Sequence, residues 1–436
     1  MFIFQQILFS TLLIVAIYLF AKRMGMIRKL ILMGQPEEIN TNTLQRWKNV
    51  LLLAFGQKKM FKNPLVAVLH LFVYVGFVVI NIEMIEIVSD GIFGTHRILF
   101  QLFPSYYPLL INLFEFLAVA VILACVVFLA RRNMVKVKRL ISNDIKGWPS
   151  TDANFILITE IILMLFFLQM NAADTVLQSK GVAPYSEHLT GHFYFSYFFH
   201  HLFDGFSIQT LVLTERLSWW CHIIGVLAFL NYLAWSKHLH IILAFPNAYF
   251  SRSEPQGKMK NMPSVQDEVK YAFHPELAPT TSAQTPLFGA KDIDELSWKN
   301  ILDAFSCTEC GRCSSACPAN QTGKLLSPRK IMMSTRDRAE EIAHKISKGI
   351  QWKEENRTLF DYISEEELRA CTTCNACVEA CPVSIEPLDI IVQLRRHLIM
   401  EKSSSPQEWT AMFGNMENNF APWKFSPDQR INWTKQ

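Results

Sequence analysis

Cys307-Thr-Glu-Cys310-Gly-Arg-Cys313-Ser-Ser-Ala-Cys317-Pro318 returns further along the chain as Cys371-Thr-Thr-Cys374-Asn-Ala-Cys377-Val-Glu-Ala-Cys381-Pro382. Both copies read C-x2-C-x2-C-x3-C-P, the spacing of paired bacterial-type [4Fe-4S] clusters. Three close thiolates wrap one cubane, and the distant fourth cysteine crosses to the other. The pattern assigns Cys307, Cys310, Cys313 and Cys381 to one cluster, and Cys371, Cys374, Cys377 and Cys317 to the other. Zinc matches less well, because its sites present pairs of ligands rather than triplets followed by Cys-Pro. Disulfides do not suit the reducing compartment that the charge pattern of the loops implies. Two clusters close enough to share ligands make a path for electrons.

Around this repeat the chain is too apolar for an ordinary soluble enzyme: of 436 residues, half are hydrophobic and only 18% are charged. Its length allows two or three domains. Cys125 and Cys221 fall inside apolar stretches, where a free thiol packs like a small hydrophobe. There is no basic aromatic patch to suggest nucleic acid, and no dinucleotide glycine motif or nucleophile–base pair to suggest a substrate pocket.

Five apolar runs, at 2–20, 64–88, 108–130, 154–170 and 217–236, are near the length a bilayer requires, the fourth being the shortest. Lys22, Arg23, Arg28 and Lys29 follow the first run instead of preceding it, which makes it a membrane helix and not a signal peptide. The loops 21–63 and 131–153 hold fifteen Lys and Arg, against three in 89–107 and 171–216. By the positive-inside rule the amino terminus is outside, and everything after residue 237 is cytoplasmic. The expected location is the inner (cytoplasmic) membrane, with the cysteine repeat on its reducing side.

Histidines are the informative residues within the crossings. His222 and His240 lie eighteen apart, five whole turns on a continuous helix, and so would share one face about 27 Å apart. His70 enters the second crossing at a depth similar to His240. An imidazole from each of two helices can hold a haem iron axially, so His70 and His240 are the expected haem b ligands, with His238 the alternative to His240. For His222 three roles stay open: a second haem completed by His200 or His201, a quinone contact, or hydrogen bonding. Glu83 and Glu86 end the second crossing; they are either proton-exchange groups for quinone chemistry or a solvated helix end. Glu115 and Glu160 are weaker candidates of the same kind.

At this point the residues resemble known families. Trp220-Cys-His222 through Ser236-Lys-His238-Leu-His240-Ile, followed by Pro246, resembles the last crossing of the cytochrome b subunit of respiratory nitrate reductase. The resemblance covers roughly residues 1–250. It implies five helices, an outside amino terminus and two ligating histidines on the last helix. Two histidines ten apart on the second helix belong to that pattern; His70 matches the first, while Ile80 stands at the second, a departure that bears on the outer haem. The cysteine repeat resembles membrane-bound heterodisulfide-reductase-like proteins, among them fused proteins that pass electrons between electron-transfer flavoprotein and menaquinone. Phe413-Gly-Asn-Met-Glu-Asn-Asn-Phe-Ala-Pro-Trp423 is similar to the segment that leads into their cysteine-rich CCG domains. The sequence stops at Gln436 without a CCG motif, so the resemblance implies a separate CCG-domain subunit as partner.

The remaining expectations are local. Residues 251–295, with Pro255, Pro263, Pro275, Pro279 and Pro286, read as an extended linker. Ser327-Pro328 opens a helix that ends before Gly349, Ser364-Glu-Glu-Glu367 is a capping box, and Pro387 opens another helix. His344 and His397 read as surface residues. The tail 401–436 lacks a strong period, and Trp409, Trp423 and Trp433 suit docking to a partner. The whole is expected to be an all-α membrane protein: a transmembrane cytochrome b-like domain (1–250), a linker (251–295), a mainly helical cytoplasmic dicluster ferredoxin domain (296–400) and a docking tail (401–436). Such a chain would pass electrons between a cytoplasmic partner, the clusters, haem b and the quinone pool. Its rivals are a heterodisulfide-reductase-like subunit and a redox-sensing membrane anchor.

Overall fold

The computed structural model describes residues 3–187, 189–252, 258–279 and 288–435. Among them there is no β-strand, only an isolated parallel bridge between Gln35 and Ser297. Five helices are long and apolar enough to cross a membrane: α1 (Ile3–Ile31), α2 (Pro64–Phe93), α3 (Tyr107–Asn133), α4 (Trp148–Ser179) and α5 (Ile208–Leu233). Local chemistry fixes their ends. Asn63 caps α2, its side chain accepting from Val66 N at 3.3 Å, and Pro64 follows where a missing N–H costs nothing. Gly94, at φ 72°, terminates the same helix. Large aliphatics left exposed along the helices, such as Ile7, Ile14, Ile85 and Leu123, form the surface a bilayer would cover.

Two expectations about the crossings are corrected. The run at 154–170 belongs to the longest helix of the five, α4, with 32 residues. Hydropathy stops at Asp152 and Asn171 because they are polar. The helix continues because both are buried with partners: Asp152 accepts from Tyr232 and Asn171 from Arg97. The second correction concerns His222 and His240, which do not share a helix. α5 ends at Leu233, and the chain turns through Ala234-Trp235-Ser236 into a 3₁₀ turn and then α6 (His240–Tyr249). Arg23 holds the bend, with its guanidinium 3.7 Å from the Trp235 ring centroid and its Nε donating to the Ala234 carbonyl at 3.3 Å. Ser236 caps the 3₁₀ turn, accepting from His238 N at 3.1 Å.

Beyond α6 the chain folds into a helical unit: α7 (Trp298–Phe305), α8 (Arg312–Ala316), α9 (Pro328–Ser347), α10 (Ala376–Ala380), α11 (Pro387–Arg396) and α12 (Gln407–Asn419). The capping boxes of Ser297 with Asn300 and Ser364 with Glu367 are both formed, and Ser327 caps α9. The expected linker is not wholly extended. Pro263 starts an eleven-residue helix, a position where its fixed φ favours helix; Pro255 and Pro286 lie outside the described residues. The tail is likewise more regular than expected, since α12 carries Trp409, Met412, Phe413 and Met416 at helical spacing, all exposed. His344 is exposed as expected, but His397 is buried, its ring 5.7 Å from Phe360.

The helical unit is not suspended from the bundle. One apolar core runs through both: Ile27 and Leu30 of α1, Leu233 of α5 and Leu243 of α6 pack with Ile301, Ile331, Ile342 and Leu394. Ion pairs ring this junction, among them Arg329–Asp144 at 2.6 Å, Arg252–Glu37 at 2.7 Å and Lys62–Glu379 at 2.9 Å. The basic loops of the bundle therefore face the cysteine-bearing unit.

Candidate functional site

Both cysteine loops turn on left-handed residues at matching places. Glu309 and Thr373, just before the second cysteines, have φ of 53° and 54°; Gly311 and Asn375, just after them, have 71° and 61°. Glycine and asparagine tolerate that conformation best. A five-residue helix comes next in each copy, α8 and α10, and the two pack together. Cys317 and Cys381 then leave in extended conformation, φ −76° in both, as a following proline requires.

This backbone brings Cys307, Cys310, Cys313 and Cys381 around one cavity of about 20 Å³. The other four also come together: Cys371, Cys317 and Cys374 are the thiols that act on Cys377. Among the described residues no three His, Cys, Asp or Glu groups converge tightly enough to hold a single metal ion, so the thiols surround a space instead of meeting at a point. Burial pushes Cys307, Cys377 and Cys381 up to about 12. Such thiols are neutral at pH 7 and become thiolates only when a cation such as iron compensates them. Backbone N–H groups already point at sulfur: Ile385 N lies 3.3 Å from Cys381 Sγ, and Thr373 N 3.4 Å from Cys371 Sγ. Cys374 is exposed, so the second set lies toward solvent.

A larger cavity, of about 330 Å³, lies between the first cysteine set and the bundle. His70 of α2, His238 and His240 line it, and so do Thr308, Cys310 and Pro382, which also line the small cavity. His240 Nδ1 donates to the Lys237 carbonyl at 2.9 Å and His70 Nδ1 meets Gln57 Oε1 at 3.0 Å. Those contacts leave the Nε2 lone pairs for a metal. Burial holds His240 below the ordinary histidine range and therefore neutral. The two ring centroids are 6.5 Å apart. Two imidazoles at that separation, each with Nε2 free, would fit a single metal held between them, as in a bis-histidine haem. His238 is turned differently, with Nε2 3.5 Å from Glu160 Oε1. Arg131, Arg139 and Arg312 also line the cavity, a cationic rim suited to carboxylates.

His222 stands apart from this cavity. Its Nδ1 meets the Leu163 carbonyl at 2.9 Å, its ring is 6.2 Å from Phe167, and its buried Nε2 has no partner. His200 is engaged with Thr175 at 2.7 Å and His201 is exposed, so neither is offered to it.

Glu83 and Glu86 are not a solvated helix end; they are 1% and 3% exposed. Arg97 is the centre of a polar network that includes Glu86 and lies beside Glu83, donating to Asp174 at 2.6 Å, Tyr107 at 2.9 Å and Asn171 at 2.9 Å. Tyr107 donates in turn to Glu86 at 2.9 Å. The spacing Glu83, Glu86, Asp90 on one helix face was a visible signal of this network. Its partners come from distant segments, which no local pattern joins.

Known proteins are similar to this chain in sequence. Residues 303–385 match the family described as 4Fe-4S dicluster domain. Over 96% of its length the chain is 27% identical to the "Probable iron-sulfur-binding oxidoreductase FadF" of Bacillus subtilis, covering 59% of that protein. It is 26% identical over 90% of its length to an EtfAB:quinone oxidoreductase of Syntrophomonas wolfei, covering 54% of it. A shorter stretch, 24% of the chain, is 31% identical to a subunit of the ferredoxin:CoB-CoM heterodisulfide reductase of Methanosarcina mazei, over 53% of that protein. The chain thus spans little more than half the length of these relatives. No solved structure matches it. The chain thus carries a 4Fe-4S dicluster domain beside five helices of membrane length, and the relatives it resembles are named as iron-sulfur oxidoreductases or subunits of them.

Proposed function

We propose that the chain is a membrane electron conduit joining a redox partner, two [4Fe-4S] clusters, one haem b and a quinone pool, menaquinone in particular. The observation that carries this reading is Cys310, which lines both the first thiol cavity and the cavity of His70 and His240. The clusters and haem, when bound, supply one-electron chemistry. The chain's residues hold and tune them. Cys307, Cys310, Cys313 and Cys381 hold the inner cluster; Cys371, Cys374, Cys377 and Cys317 hold the outer one, which meets the partner through the exposed edge at Cys374. His70 and His240 would hold the haem, Arg139 and Arg312 of the same cavity would supply cations for its carboxylates, and His222 serves hydrogen bonding.

The partner is a redox protein such as an electron-transfer flavoprotein, docking on the exposed apolar stripe of α12. A relative that is an EtfAB:quinone oxidoreductase supports both the flavoprotein and the quinone. The basic loops support a cytoplasmic position for the clusters in the inner membrane. Similarity to a heterodisulfide reductase subunit favours one rival, in which the electrons reduce a disulfide in the partner.

A reduced-minus-oxidised visible spectrum of the purified chain, with haem quantified, tests the reading. One b-type haem per chain, lost in His70→Ala and in His240→Ala but retained in His222→Ala, is expected. A chain without haem sinks the conduit to quinone. Two haems per chain, one lost in His222→Ala, would overturn the role given to His222.

A further inference from the structure

We propose that Glu83 is a proton-exchange group at the end of the bundle opposite the clusters, acting through one bound water beside His96. The inference deepens the conduit reading and rests on it. Reduction of a quinone to its quinol takes two electrons and two protons. The partner is the reductant and its electrons arrive through the cysteine-bearing side; the protons enter one at a time through Glu83 from water at the far side. Quinol oxidation runs both routes in reverse.

The placement follows from α2. It starts beside the cysteine-bearing unit, where Lys62 pairs with Glu379. Glu83 lies thirteen residues beyond His70, about 20 Å further along the axis. There a second small cavity, of about 20 Å³, is lined by Glu83, Glu86, Asp90, His96, Asp174 and Trp219 among others. That volume suits one water.

Most of the buried carboxylates around it are supplied with donors. Asp90 accepts from Arg97 N at 2.7 Å and Ile98 N at 3.2 Å. Glu86 accepts from Tyr107 and from Leu99 N, and Asp174 from Arg97 and Gln178. From α3, Glu115 accepts from Phe195 N and Ser196 N; from α5, Glu215 pairs with Arg216 and accepts from Tyr185. Glu83 differs. Its Oε2 is buried without any hydrogen-bond partner, in the wall of the cavity. Facing the same cavity, His96 Nε2 is also without a hydrogen-bond partner, although Asp174 Oδ2 is 3.5 Å away. Six carboxylates meet two guanidiniums here, Arg97 and Arg216, so the cations do not balance the anions, and a buried carboxylate oxygen without a donor is costly to ionise. The carboxyl whose Oε2 lacks a donor is therefore the one that holds a proton while its donor-supplied neighbours stay ionised, and it gives that proton up only to an acceptor at the cavity. The His96 side chain is 16% exposed although its Nε2 is buried, so the ring spans from the cavity to the surface.

The test is infrared spectroscopy of the purified full chain, following carboxyl C=O bands as pH is varied and as the protein is reduced. One deuterium-sensitive carboxyl band that responds to reduction is expected, absent in Glu83→Gln and present in Glu86→Gln. The same band surviving in Glu83→Gln, or no redox-linked carboxyl band in the wild type, overturns the proposal. His96→Gln gives a second arm should Glu83→Gln not fold: the band is expected to shift, and an unmoved band overturns the water-bridged pair. Visible and electron paramagnetic resonance spectra of the same samples report haem and clusters separately. A missing haem with an intact Glu83 band thus marks failure of the conduit reading alone.

Discussion

Cys317 and Cys381 are each closer in sequence to the cluster they are not expected to join. Only geometry can bring Cys381 to Cys307, Cys310 and Cys313, and the extended step before Pro382 does so. The expected outcome is that Cys310→Ala and Cys381→Ala lose the same electron paramagnetic resonance signal, while Cys317→Ala loses the signal removed by Cys374→Ala. If Cys381→Ala and Cys374→Ala removed one signal between them, the crossed arrangement would be wrong. The cysteines were legible in the sequence because ligand chemistry fixes their spacing. So was the nearness of His70 to His240, through their similar depth. The separation of His222 from His240 was not legible, because their shared face depended on a helix continuing through Trp235, and no periodicity argument sees the Arg23 side chain that turns the chain there.

Elements were legible where their ends carry side-chain caps. Ser327, Ser364 and Asn63 each accept a backbone N–H where the sequence places a cap or a proline. They were illegible where polar residues continue a membrane helix, as at Asp152 and Asn171 of α4, because hydropathy cannot tell a buried, partnered carboxylate from an exposed one. The strap that succeeds α1 was equally hidden. Gln35 N donates to Leu296 O at 2.8 Å and Trp298 N to Gln35 O at 3.1 Å, tying the bundle to the start of α7. Gly34 permits this approach: a Cβ there would lie 2.5 Å from Trp298 N and 2.7 Å from Ser297 C. Backbone atoms of a capped helix cannot yield as a side-chain tip can. Gly34→Ala is expected to destabilise the junction by about 1–3 kcal/mol, read as a lower melting temperature in detergent. Gly25→Ala, whose Cβ meets nothing within 4 Å, is the control. Equal melting temperatures for the two variants would count against the strap.

At the scale of the whole molecule, the bundle and the cysteine-bearing unit share a core and are further joined by half-buried ion pairs, which makes their union sensitive to acid. Burial alone would raise the Glu37 carboxyl, but hydrogen bonds and charge from Arg252 and Lys260 hold it at about 2. Asp144 is held at about 2 in the same way, against burial, by Arg329, Ser142 and Ser327. Carboxyls lowered in the folded state favour folding when ionised. Their contribution is complete above the unfolded values near 4.5 and 3.8, and it fades as pH falls toward 2. The melting temperature of the wild type is therefore expected to drop between about pH 4.5 and pH 2. Glu37→Gln with Asp144→Asn should melt lower at pH 7, because Arg252 and Arg329 lose their anions, and should lose less on acidification. Comparing the two profiles, instead of reading either alone, removes the acid lability of the clusters, which both proteins share. Parallel profiles would mean that the shared apolar core holds the two parts together without help from these pairs.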